Sequence, residues 1–169
     1  MKIYILGFLI PLVSLSSVAN ACDDNEVTPI LKHAITLNEK FKRSVRDGDD
    51  NYKSLRKTDN QYYTKEVIPC LQIAKVILSN SNDVDLIETI MNFTISFENS
   101  AGELIPDTLG YIFANNPQVI EKGILQLQKE NQRIIVNALE FGWLNIRGIQ
   151  KDKVVNERDS RLKKLMSRF

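Results

Sequence analysis

The stretch NSNDVDLIETIMNFTISF, residues 80–97, decides which class of fold this chain adopts. Its apolar residues admit two spacings. Phe93, Ile95 and Phe97 alternate, and together with Val84 and Ile90 they invite reading as a half-buried strand. Val84, Leu86, Ile87, Ile90, Met91, Thr94 and Phe97 instead fall at i, i+3, i+4 intervals along one face of a helix. The helical spacing accounts for more of the stretch. Asn80-Ser81-Asn82-Asp83 ahead of it supplies a helix stop followed by an N-cap. A helix is the expectation here.

The same reading extends in both directions. Upstream, Thr28-Pro29 is a cap with a first-turn proline, and Ile30, Leu31, Ala34, Leu37, Phe41 and Val45 then share one face. Arg46-Asp47-Gly48-Asp49-Asp50-Asn51 breaks that helix with a solvated turn. Tyr52 to Glu66 reads as a loosely packed polar helix anchored by Tyr52, Leu55, Tyr62 and Tyr63. The next helix starts or kinks near Pro69 and runs to about Leu78. Its apolar set, Ile68, Leu71, Ile73, Ala74, Ile77 and Leu78, goes nearly all round, which places it at the centre of the fold.

Downstream, Ser100-Ala101-Gly102-Glu103 has the pattern of a capping box opening a helix with Leu104, Ile105, Leu109, Ile112 and Phe113. Asn116-Pro117 opens another, carrying Val119, Ile120, Gly123, Ile124 and Leu127 to about Lys129. A last core helix holds Ile134, Ile135, Ala138, Leu139, Trp143 and Ile146, with Gly142 and Gly148 marking close approach or fraying. Residues 150–169 form a basic C-terminal helix with Val154, Val155, Leu162, Leu165, Met166 and Phe169. The fold class is therefore all-α, with six to eight helices. Short connections imply antiparallel neighbours, in a compact multi-helix bundle or a short stack of helical hairpins.

The N-terminus has a different character. Met1-Lys2, an apolar run IYILGFLIPLVSLSSV and Ala19-Asn20-Ala21 read as a secretory signal cleaved after residue 21. That leaves residues 22–169 as a single domain, large enough to bury roughly 68–70% of its unfolded surface. Cys22 falls at the first mature position. A bridge to Cys70, the only other cysteine, is the simpler expectation for an exported chain. The alternative is a lipid-bearing Cys22, although Ala19 and Asn20 depart from the lipoprotein pattern. A membrane partner is expected only in that second case.

A formal charge of +1 removes any global electrostatic case for nucleic acid. The charge is partitioned: residues 67–142 hold four basic and nine acidic groups, residues 143–169 eight basic and three acidic. The basic last helix is expected to lie against the acidic middle, or else to form an exposed arm for an acidic partner.

Catalytic patterns are sparse. His33 is the only histidine, so any Ser-His-Asp or Cys-His arrangement must pass through it. No nucleophile elbow, zincin motif or phosphate loop occurs, and no cofactor or metal is expected. A calcium loop opening at Asp47, with Asp49 and Asp50, fails because its twelfth position is Thr58. Asn92-Phe93-Thr94 matches a glycosylation acceptor but falls in mid-helix. Asp83 and Asp85, and likewise Glu103 and Asp107, gather at helix starts, where the helix dipole accounts for them. The stretch 59–66, with Tyr62 and Tyr63, has the polar-aromatic make-up of an interface, or of tyrosines covering a kink.

A small exported all-helical chain with one potential disulfide resembles, in size, compartment and class, the helical periplasmic immunity proteins that neutralise cell-wall amidase toxins. The resemblance implies a non-enzymatic module that binds another protein; it carries no residue string and assigns no site. From the residues themselves, Tyr62, Tyr63, Asp83, Asp85, Glu103 and Asp107 are the candidate contacts. Two further expectations stand beside this one: an envelope lipoprotein anchored through Cys22 with a structural or assembly role, and a small hydrolase using carboxylates of the middle segment, Glu103 and Asp107 among them.

Overall fold

The computed structural model describes residues 22–98 and 102–168, and every regular element among them is helical. In chain order these are α1 (Val27–Asp47), α2 (Tyr52–Tyr62), α3 (Ile68–Asn80), α4 (Val84–Ser96), α5 (Leu104–Asn115), α6 (Pro117–Gln126), α7 (Lys129–Ile146) and α8 (Asp152–Met166). A π-helical turn, Tyr63–Val67, fuses α2 to α3. The signal-like segment 1–21, and Ser100 and Ala101 of the expected capping box, lie outside the described residues. The most extensive pairings join α5 to α7, α1 to α4 and α3 to α5, none of them consecutive in sequence. The architecture is therefore a compact bundle and not a stack of sequential hairpins.

The decisive stretch is α4, and it is the most enclosed helix. Leu86, Ile87, Ile90, Met91 and Phe93 are buried, and so are Thr89 and Thr94. The two threonines tolerate burial because each hydroxyl donates to the carbonyl four residues back, Asp85 and Ile90 respectively, both at 2.8 Å. The central place expected for residues 68–78 thus belongs to α4. In α3, Cys70, Leu71, Ala74 and Leu78 face the core while Gln72 and Val76 face outward. This helix lies at the edge of a layer made with α5 and α7, so apolar residues on its far side stay uncovered.

In α1 the inward stripe is Val27, Leu31, Ala34 and then Asn38, whereas Val45 is exposed. Asn38 takes an apolar residue's place because it has a partner: its Nδ2 donates to the Ser96 carbonyl at 2.6 Å, at the end of α4. Gly48 ends α1 in the left-handed region, φ 69°, and its N–H closes on the Ser44 and Val45 carbonyls.

The junction at Pro69 is continuous and not a break. Proline lacks an N–H, and its ring crowds the carbonyl four residues back. The widened turn ahead of it accommodates this, with the Ile68 N–H reaching the Tyr63 carbonyl five residues back. One residue beyond Pro69, Cys70 is bonded to Cys22, and both are buried in the core. The disulfide fastens the entrance of α1 to α3.

At the α5–α7 crossing the two backbones meet with no room for a side chain between them. A Cβ built on Gly142 meets the Pro106 carbonyl oxygen at 1.7 Å, and one built on Gly110 meets the Gly142 carbonyl carbon and oxygen at 2.4 Å. Beside it Trp143 is fully buried, edge-on to Phe113 with ring centres 6.0 Å apart, and its Nε1 donates to Asp159 at 2.7 Å. The last helix, α8, docks through Leu162, Leu165 and Arg158. Arg158 donates to the Phe113 and Ala114 carbonyls at 2.9 and 3.1 Å, closing the end of α5. An ion pair from Arg161 to Glu121 at 2.9 Å joins the basic helix to the acidic middle, while Lys163 and Lys164 stay exposed.

Gly142→Ala is expected to lose at least about 3 kcal/mol of unfolding free energy in urea. Gly148→Ala, with nothing within 4 Å of the added methyl, is expected to change it by less than about 0.5 kcal/mol. Reducing the disulfide, which joins residues 48 apart, is expected to lower stability by about 4 kcal/mol on the chain-entropy relation, measured by urea unfolding with and without a thiol reductant.

Candidate functional site

The glycine contact brings α5 and α7 together in a register that places Asp107 beside Asn145, whose Nδ2 donates to the Asp107 carboxylate at 2.8 Å. On the other side of α5, Lys75 of α3 holds its ammonium 5.4 Å from the centre of the Tyr111 ring. Partial burial lowers the Lys75 pKa, and the nearby Asp107 charge works in the opposite sense. Tyr111 lies one turn beyond Asp107, and Phe141 one turn before Asn145, so both share this outward face. On the outward sides of the three helices, Val76 is 58%, Leu144 52%, Phe141 44% and Tyr111 39% exposed. The outer face of α3, α5 and α7 thus presents uncovered apolar and aromatic side chains around a lysine, an aspartate and an asparagine.

Of the residues singled out from the sequence, only Asp107 belongs to this face. Tyr62 and Tyr63 are half-buried at the start of the π turn. Tyr63 packs against Phe97 and Phe93, with ring centres 5.8 and 6.5 Å apart. Tyr62 meets His33 edge-on at 4.8 Å and its hydroxyl donates to the Ile30 carbonyl at 3.5 Å. Burial raises the pKa of both phenols, and the Glu66 charge adds to the effect at Tyr62. Their rings face the fold, and the exposed side chains of that stretch are Asn60, Gln61, Thr64 and Lys65.

Asp83 caps α4, accepting the Leu86 N–H at 2.9 Å, and Asp85 is exposed in its first turn. Glu103 is exposed at the N-cap of α5 and makes no side-chain cap bond. The two acidic pairs stand at the starts of different helices, α4 and α5. His33 is exposed on α1. Asp49 accepts the Asn51 N–H at 3.0 Å in the turn after α1, and Asn92 is exposed in the middle of α4. Among the described residues, no three His, Cys, Asp or Glu side chains are grouped to hold a metal ion, and no helix is long and apolar enough to cross a membrane.

Asp59 escaped the sequence reading, although its spacing held the signal. Leu55, Asp59 and Tyr62 fall at i, i+4, i+7, so the aspartate occupies the inward stripe of α2. It is 9% exposed, and this burial raises its pKa. No family model matches the chain, and neither does any curated protein or solved structure.

A carboxyl whose folded-state pKa lies above its unfolded value costs stability once the unfolded chain ionises. The cost is absent well below the ordinary value of 3.8 and sets in as pH rises through and above it. Asp59→Asn is therefore expected to gain stability relative to the parent between pH 3 and pH 7. Urea midpoints of both proteins at the two pH values check the sign.

Proposed function

We propose that the protein is an exported periplasmic binding module that acts by occupying a partner protein and not by catalysis. An immunity-type inhibitor of an envelope toxin is the form that suits its size and class. The observation that carries this reading is the outer face of α3, α5 and α7. Aromatic and aliphatic side chains left uncovered around a few polar groups are the make-up of an interface centre, where tyrosine contributes disproportionately to binding. The Cys22–Cys70 bridge supports an oxidising compartment. It also favours the free module over a lipid anchor, because a sulfur in a disulfide has no valence left for a thioether.

The test compares the parent with Tyr111→Ala/Phe141→Ser, immobilised and exposed to envelope extract of the producing cell. The parent is expected to retain one defined protein, and the double variant to hold it at least ten-fold more weakly. Both substitutions are at exposed positions, so unfolding free energy should stay within about 1 kcal/mol of the parent. Equal retention by the two proteins, or retention of nothing by the parent, overturns the reading.

A further inference from the structure

The outward side of α2 and of the π turn that follows it carries Lys53, Arg56, Lys57 and Lys65, all exposed along an open groove of about 530 Å³ whose other walls are Asn60, Gln61 and Thr64. The spacing i, i+3, i+4, i+12 sets the four cations in a line about 18 Å long at the usual helical rise. Between Tyr52 and Lys65 the only acidic residue is Asp59, and it is turned into the fold. Asp49 and Asp50 precede the groove and Glu66 follows it, so the positive field is confined to its length. Among the described residues, none of the four cations has a carboxylate within 4.0 Å; Lys53 alone has a ring partner, its ammonium 5.8 Å from the centre of Tyr52. Several other basic groups are answered: Arg147 by Asp159, Arg158 by Glu157, Arg161 by Glu121, and Lys42 by the Ser96 carbonyl.

We propose that this groove binds an acidic peptide segment of a partner protein. Three features select that occupant. The cations form a line and do not converge on a point, which suits an extended polyanion better than a single phosphate ion. The face carries no apolar anchor except Tyr52 at its end, and a membrane surface needs apolar side chains to bury. The amides of Asn60 and Gln61 offer acceptors as well as donors. A peptide backbone offers both in regular alternation along an extended line, whereas phosphodiester oxygens only accept. Lys53, Arg56 and Lys57 lie along the axis within the screening length of physiological salt, about 8 Å, so their fields add; Lys65 extends the row about 12 Å further. The groove stands on α2 and the π turn and shares no residue with the α3–α5–α7 face.

The experiment titrates the full mature chain with a twelve-residue Glu-rich peptide, phosphatidylglycerol vesicles and inorganic phosphate, at 50 and 200 mM salt. The peptide is expected to bind and to weaken at least ten-fold across that salt range. Lys57→Glu/Lys65→Glu is expected to weaken it at least ten-fold more while leaving the melting temperature within a few degrees. Lys163→Glu/Lys164→Glu, with the same change in net charge on α8, is expected to keep most of the affinity. Peptide binding that is absent, or unchanged in the α2 variant, overturns the proposal. So does an equal loss in the α8 variant, which assigns binding to net charge. Vesicles or phosphate bound more tightly than the peptide, and lost in the α2 variant, give the groove to lipid headgroups or free phosphate and overturn it as well. None of these outcomes bears on partner retention through Tyr111 and Phe141.

Discussion

The fold depends on two backbones touching. Where α5 crosses α7, Gly110 and Gly142 leave no space for a side chain on either helix. Most helix pairs are held apart by their side chains at 8–10 Å; this pair closes further because there is nothing to hold it apart. The closeness has consequences on both sides. Inward, it seals Trp143 against Phe113 in the core. Outward, it brings Asp107 and Asn145 within hydrogen-bond distance, which sets the polar centre of the face between α3 and α7. A bulkier residue at either glycine moves the core and the surface together.

A second constraint is how the helices end. Each leaves carbonyls without helical partners, and most connections here are too short to supply them. One helix, α1, ends on a left-handed glycine. Elsewhere a side chain distant in sequence does the work. Asn38 answers the Ser96 carbonyl at the end of α4, and Arg158 answers Phe113 and Ala114 at the end of α5. Asn116, placed by the sequence at the start of α6, turns its amide to the Leu78 and Ser81 carbonyls at 3.0 and 2.8 Å and so closes α3. These bonds link secondary structure to tertiary packing, since no such helix is properly terminated until its neighbour has docked.

What could be read in the sequence was local. Period and punctuation sufficed for α4 after Asp83, for α6 after Asn116-Pro117, for the turn at Gly48 and for the pairing of the two cysteines. Properties that arise between distant segments were not legible. Gly142 was marked as a point of close approach or fraying, but what it approaches, Gly110 and Pro106, lies on another helix. Residues 68–78 looked central because apolarity all round does not reveal which neighbours exist to cover it. Tyr62 and Tyr63 had the composition of an interface or of tyrosines covering a kink; Phe97, Phe93 and His33 take up their rings, and no spacing decides between the two. The outer face of α3, α5 and α7 draws single residues from three helices. Only Asp107 among them stood out, and it did so as one of a carboxylate pair.

Arg158 has a consequence in time as well as in space. The end of α5 is closed by a residue 44 positions beyond Ala114 in the chain, and Leu162 and Leu165 of the same helix are buried with it. A chain is made, and threaded through any pore, from its N-terminus onward. The middle helices therefore emerge well before the side chain that finishes them, and until it arrives the Phe113 and Ala114 carbonyls must bond to water. The end of α5 locks only when α8 is free to reach it, so the docking of α8 is itself a step in folding.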